Sequence, residues 1–153
     1  MRSEFPATPA KEGADMMRLL TIMLVAASVG APAFAGPAQT RLLETYLAES
    51  RRIDPSFSGF SAERGRALYI GPHVGGRPDM PACATCHTSD PTRVGKHIKT
   101  GREIEPMAAR INTNRFSDPA MVEKRFSRDC PNVLGRECSA KEKGDFIFYL
   151  TNQ

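Results

Sequence analysis

The residues best suited to chemistry are Cys83-Ala84-Thr85-Cys86-His87. C-x-x-C-H is the attachment signature of c-type haem. Two thiols at i and i+3 can reach the vinyl groups on one edge of a porphyrin and form thioethers. His87, next in the chain, is carried beneath the ring as the proximal iron ligand. Zinc and a thioredoxin-like dithiol are the competing chemistries. A dithiol does not need the trailing histidine, and zinc needs a second ligand pair at matching spacing. Cys130 and Cys138 have seven residues between them, which is wrong for a zinc knuckle. The motif therefore points to one covalent haem c, with Cys83 and Cys86 as tethers and His87 on iron.

This chemistry implies a compartment. Met16 and Met17 precede Arg18, and Leu19 to Gly30 is an uncharged, largely apolar run of twelve residues, closed by Ala33-Phe34-Ala35. The run is too short to span a bilayer and ends in an A-x-A cleavage signal. Residues 1–35 are expected to be an N-terminal extension and secretory signal peptide, cut after Ala35, with a retained anchor as the alternative. Haem attachment to C-x-x-C-H in bacteria takes place outside the cytoplasm, so motif and signal agree on a periplasmic location. In that compartment Cys130 and Cys138 can be oxidised to a disulfide. Two free thiols are the other possibility.

The chain has 153 residues, 21 of them basic and 17 acidic. Three of each charge precede Gly36, so the remainder, residues 36–153, keeps a net charge of +4. That length suits one domain. The basic residues are dispersed, which argues against nucleic acid and mildly favours an acidic protein partner.

The elements that must position the motif read as helices. Leu42, Leu43, Tyr46, Leu47 and Ile53 recur at helical spacing, predicting a helix from Thr40 to Ile53 that ends at Asp54-Pro55. Phe57 and Phe60 should cover the core or a haem edge. Ser61 is a good N-cap for a second helix to about Ile70. Its interior Gly65 costs about 1 kcal/mol relative to Ala, tolerable where another helix approaches closely. The stretch from Gly71 to Pro81 should be an irregular loop. After His87 a long polar stretch offers only Glu103 to Arg110 as a short helix, and wrapping around a haem would support it. Asp118-Pro119 opens another helix with Val122, Phe126 and Met121 as inner-face candidates. Ser139-Ala140-Lys141-Glu142 is a capping box opening a last helix with Phe146, Ile147, Tyr149 and Leu150. A Cys130–Cys138 bridge would stabilise by roughly 2–3 kcal/mol on the chain-entropy account. The fold class is all-α, four or five short helices around one covalently bound haem.

A strong sixth iron ligand would make an electron carrier, and a weak or absent one would leave a site for small molecules. Met107, Met121, Met80, His97 and His73 are the soft or imidazole candidates. Met80 and His73 lie too close before the motif to cross the ring, and His97 sits in a Lys-rich polar stretch. Arg93, Arg102 and Arg115 are candidates to meet the haem propionates.

From about Gln39 onward the sequence resembles the sphaeroides haem protein family, class I cytochromes c with an oxygen-binding site. The resemblance is carried by Ala62-Glu63-Arg64-Gly65-Arg66-Ala67-Leu68, Gly75-Gly76-x-Pro78-Asp79, Cys83-x-Thr85-Cys86-His87 and Thr100-Gly101-x-Glu103-Ile104. Arg115-Phe116 and Cys130-x7-Cys138, with Gly135-Arg136 inside it, complete the match. It implies a class I cytochrome c fold in which Gly65, Leu68 and Tyr69 cross Gly144, Phe148 and neighbours. It also implies a dihaem cytochrome c or a membrane cytochrome b as redox partner. In that family the distal ligand is an asparagine just before the first disulfide cysteine. It binds ferric iron, detaches on reduction and leaves ferrous iron open to diatomic ligands.

Here that position is Asp129. A carboxylate is anionic and hard where an amide is neutral and weak, so Asp129 should favour ferric iron and lower the reduction potential. Alternatively Asp129 turns to Arg128 or Arg136 and leaves iron open, or Asn132 supplies an amide. The expected function is a periplasmic monohaem cytochrome c that accepts electrons and binds O2- or NO-type ligands. The other reading is a simple electron shuttle with Met107 or Met121 as sixth ligand. No titratable residue is visibly paired with a distal acid or base, so the sequence assigns no catalytic residue.

Overall fold

A computed structural model describes Met1 and residues 36–153. The expected signal peptide and its cleavage site fall outside the described residues. Five helices and one two-stranded ladder follow in order: α1 (Pro37–Ile53), α2 (Ala62–Ile70), α3 (Ala84–His87), β1 (Gly95–Lys96), β2 (Glu103–Ile104), α4 (Pro119–Leu134) and α5 (Ala140–Thr151). Among the described residues no helix is long and apolar enough to cross a membrane. The class is all-α, as expected from the sequence.

The caps act where the sequence put them. Ser61 Oγ accepts from Arg64 N at 3.2 Å, and Asp118 accepts from Met121 N at 3.1 Å with Pro119 at N1. The Ser139–Glu142 box closes in both directions, at 3.2 and 2.9 Å. α1 starts three residues earlier than its apolar spacing indicates, because Pro37 occupies the first turn, where a missing N–H costs nothing.

The architecture is organised around the packing of α2 and α1 on α5. Gly65 makes the α2–α5 crossing possible: a Cβ there would stand 2.0 Å from the Asp145 carbonyl oxygen and 2.7 Å from the Tyr149 Cβ. The glycine of α5, Gly144, serves a different neighbour, making room for the Phe60 ring rather than for α2. Asp145 is 3% exposed and accepts from Ser61 N and from Arg64 Nε and Nη2, all at 2.7 Å. Tyr69, Phe146, Tyr149 and Phe126 form a continuous aromatic cluster with ring centroids 5.6–6.0 Å apart. Phe57 and Phe60 pack on each other at 5.5 Å, and neither lines the haem-sized cavity described below.

One expectation is corrected. Glu103 to Arg110 is not a helix: Pro106 interrupts it, and Glu103–Ile104 pairs antiparallel with Gly95–Lys96. Met121 is 47% exposed and stands on the wall of the cavity described below. Within the Cys130–Cys138 segment α4 continues through Pro131 to Leu134. Proline forfeits the hydrogen bond to the Ser127 carbonyl, yet the helix tolerates it near its end. Gly135, at φ 72°, then terminates it, its N–H bonded to Pro131 O.

Candidate haem site

Between the C-x-x-C-H segment and α4 lies a cavity of about 880 Å³, near the top of the range for cofactor sites. Cys83, Cys86 and His87 stand together on its wall. They are held by one short turn: α3 begins after Cys83, and His87 N donates to Cys83 O at 3.1 Å. Thr88 leaves that turn at φ 64°, a strained value for a β-branched residue. Two contacts hold the backbone there. The fully buried Tyr69 hydroxyl lies 3.0 Å from His87 O and 2.9 Å from Thr88 O. Gly95 lets β1 press in, since a Cβ would come within 2.3 Å of the Cys86 carbonyl. The sequence reading gave neither residue a role at the motif. A glycine facing the motif across a short ladder is visible only once the pairing is known.

The electrostatics suit a ligand nitrogen and two thioether sulfurs. Burial, then the Arg115 charge, pushes His87 down to about 4, so the imidazole is neutral and free to ligate. Burial, reinforced by Asp129, pushes the Cys83 thiol up to about 12. A sulfur held as thiol is a poor zinc ligand, since zinc binds thiolate. Among the described residues only three buried side-chain polar atoms lack a partner, and two of them, His87 Nδ1 and Arg115 Nε, belong to residues of this cavity. Unpaired polar atoms and two free thiols around one cavity fit a group that brings vinyl carbons, a metal and carboxylates.

Of the distal candidates, Met80, His97, Met107, Met121, Asp129 and Asn132 all line the cavity. His73 does not; its Nε2 sits 3.0 Å from Leu68 O. Met107 is 7% exposed, and its amide donates to Pro91 O, which anchors it beside the segment following His87. Asp129 holds Arg128 through two contacts, 2.6 and 3.0 Å. Arg136 turns away to Glu142. Cys130 and Cys138 are paired, with Cα atoms 5.7 Å apart, joining the last turns of α4 to the cap of α5. Asn132 uses its carbonyl to accept Arg77 N at 2.7 Å, so the loop leading into Cys83 is fastened to the opposite wall. Arg102 and Arg115 line the cavity and Arg93 does not.

Comparison with known proteins agrees with this geometry. Residues 55–150 match the family described as domain of unknown function DUF1924. Cytochrome c-type protein SHP of Cereibacter sphaeroides is 42% identical over 134 residues, covering 86% of this chain and 97% of that protein. Cytochrome c'' of Methylophilus methylotrophus is 51% identical over 113 residues, covering 74% and 78%. The structure of oxidised SHP, described as an oxygen-binding cytochrome c, matches with a TM-score of 0.69 and 41% identity, covering 75% of this chain and 96% of that one. Crystalline oxidised cytochrome c'' gives 0.68 and 36% identity, covering 76% and 94%. The cofactor is one covalently bound haem c. The chain belongs to the DUF1924 family and to the c-type cytochromes that include SHP and cytochrome c''.

Proposed function

We propose that this protein is an exported, periplasmic cytochrome that accepts electrons from a redox partner protein and binds small diatomic ligands of the O2 or NO type on the haem face opposite His87. The observation that carries the reading is the state of Asp129. It stands on the cavity wall at the position where the family resemblance puts the distal ligand, and it is already engaged by Arg128. When bound, haem c supplies an iron that takes up one electron and can accept a sixth ligand.

The residues divide the work. Cys83 and Cys86 supply the thioether sulfurs, and His87 the proximal nitrogen. Asp129 is the candidate distal group, and Arg128 the alternative partner for its carboxylate. Arg128 and Asp129 are 59% and 46% exposed, so their pair contributes no more than about 1 kcal/mol. A pair that weak would leave the carboxylate able to turn toward a bound ferric haem, and Arg128 would receive it again on reduction. An anionic group there would favour the ferric state, and its return to Arg128 would clear that wall of the cavity for a neutral diatomic. The Cys130–Cys138 pair, oxidised to a disulfide in the exported protein, keeps the turn carrying Asp129 in place. SHP is described as oxygen-binding, and the solution structure of cytochrome c'' as bearing on haem-ligand detachment. Both fit a distal group that comes and goes.

The test is the visible spectrum of the ferric and dithionite-reduced holoprotein, with and without carbon monoxide, for wild type and Asp129→Ala. Rapid carbon monoxide binding and an altered ferric spectrum in the variant are expected. A thioether charge-transfer band with no carbon monoxide response would instead make the protein a shuttle ligated by Met107 or Met121. A ferric spectrum indifferent to Asp129→Ala would remove that residue from the iron.

A further inference from the structure

We propose that Arg115 is the counter-ion for one propionate of the bound haem, and that its charge raises the reduction potential of the protein. The starting observation is a cation without an anion. Arg115 lines the cavity, and its Nη2 donates to the backbone carbonyls of Glu105 and Pro106 at 3.0 and 2.9 Å. Its Nε is buried with no partner, and among the described residues no carboxylate lies within ion-pairing distance of it. The nearest acid in effect, Glu105, has its carboxylate occupied by Asn112 Nδ2 at 2.8 Å. A half-buried guanidinium whose Nε is shut off from water and unused is costly unless an anion completes it. The planar fork favours a carboxylate, and the cofactor brings two.

The backbone supports the same assignment. Phe116, which follows, is buried and sits at φ 63°, a region costing an L residue about 1–2 kcal/mol. That strain is maintained from both sides. The Arg115 carbonyl accepts from Nε2 of Gln39, a glutamine 4% exposed on α1, and Arg115 N donates to Asn112 O at 2.9 Å. Backbone held in a disfavoured region beside a cavity is a mark of a ligand clamp. The other arginines of the cavity wall lack these features: Arg77 already has Asp79, Arg128 already has Asp129, and Arg102 and Arg125 are exposed, while Arg93 is away from the cavity.

Ferric haem carries one more positive charge than ferrous, so a nearby cation favours reduction. In spectroelectrochemical titration, holoprotein with Arg115→Gln should show at least a tenfold shift of the equilibrium toward ferric, about 59 mV lower for one electron. Arg115→Lys should recover most of that shift, and Arg102→Gln should move far less. The propionate-bending band in the resonance Raman spectrum should shift in Arg115→Gln and in Arg115→Lys. The propionate band does not depend on which group faces the iron distally. A potential in Arg115→Gln equal to wild type, or no greater in shift than Arg102→Gln, would overturn the proposal. Should Arg115→Gln not accumulate with haem, an unmoved propionate band in Arg115→Lys would do the same.

Discussion

Gly65→Ala pits a local gain against a packing loss, and the structure decides the sign. Alanine inside a helix is favoured over glycine by about 1 kcal/mol. At this position the added methyl would lie 2.0 Å from the Asp145 carbonyl oxygen, 2.6 Å from its carbon and 2.7 Å from the Tyr149 Cβ. Carbon contacts relax at about 3.5–4.0 Å, so α2 and α5 would have to part by roughly 1–1.5 Å. The obstructing atoms are mainly helix backbone, which cannot rotate away. Overpacking of this kind costs about 1–3 kcal/mol, occasionally more. Separation of the helices also stretches the three 2.7 Å contacts on Asp145, whose carboxylate is almost fully buried. The net expectation is a loss of about 2 kcal/mol, or about 8 °C in Tm for a domain of this size. Urea and thermal unfolding of the holoprotein, followed by far-ultraviolet circular dichroism, measure it. A variant as stable as wild type, or more so, would show that propensity governs this position and that the two helices do not meet closely.

Tyr69→Phe removes the hydroxyl from the carbonyls of His87 and Thr88 while keeping the ring in the core. A cost of about 1–2 kcal/mol is expected in denaturant unfolding. An altered ferrous spectrum should accompany it, because the left-handed turn at Thr88 is then free to relax; loss of stability alone would reduce Tyr69 to a packing role. In the capping box, hydrogen bonds from Arg136, then Ser139, hold Glu142 down at about 2 against an ordinary 4.5. Because the folded value is depressed, this stabilisation is complete above about pH 4.5 and lost as pH falls through 2. With Arg136 57% exposed, solvent screening reduces it to about 1 kcal/mol. Wild type should therefore exceed Glu142→Gln in urea stability at pH 6 and converge with it near pH 2; a gap that persists at pH 2 would contradict the linkage.

Much of the fold could be read from local chemistry. The caps Ser61, Asp118 and Ser139 stand one residue before their helices, and each makes its expected bond. These signals are short-range, involving a side chain and an amide three residues on, so tertiary context had little chance to override them. Cys83, Cys86 and His87 were equally readable, because one short turn forces consecutive residues into a fixed relation. The misreading of Glu103 to Arg110 has the opposite cause. A two-residue ladder gains its stability from partners seven and nine residues away and from the wall it helps to build, and leaves almost no periodicity.

The far wall of the cavity shows where sequence reading stops, for a reason that matters to function. A proline followed by Asn-Val-Leu-Gly suggests a loop, and a loop would let Asp129 reach iron or retreat at little cost. The chain instead stays helical through Pro131, stops at Gly135 and is backed by the loop before the haem motif. A Cβ on Gly76 would meet Asn132 O at 2.3 Å, and one on Gly135 would meet Gly75 O at 1.9 Å. Three glycines whose common purpose is contact between two backbones cannot be recognised until both backbones are placed. Asp129 thus projects from a braced helix, with Arg128 next to it as a weak second partner. Any exchange of the carboxylate between arginine and iron has to be made by side-chain rotation, with the helix staying still. That makes the mobility of the proposed distal group a property of a single residue and its neighbour, which is why Asp129 and Arg128, rather than the Cys130–Cys138 segment as a whole, are the positions at which substitution should alter ligand access.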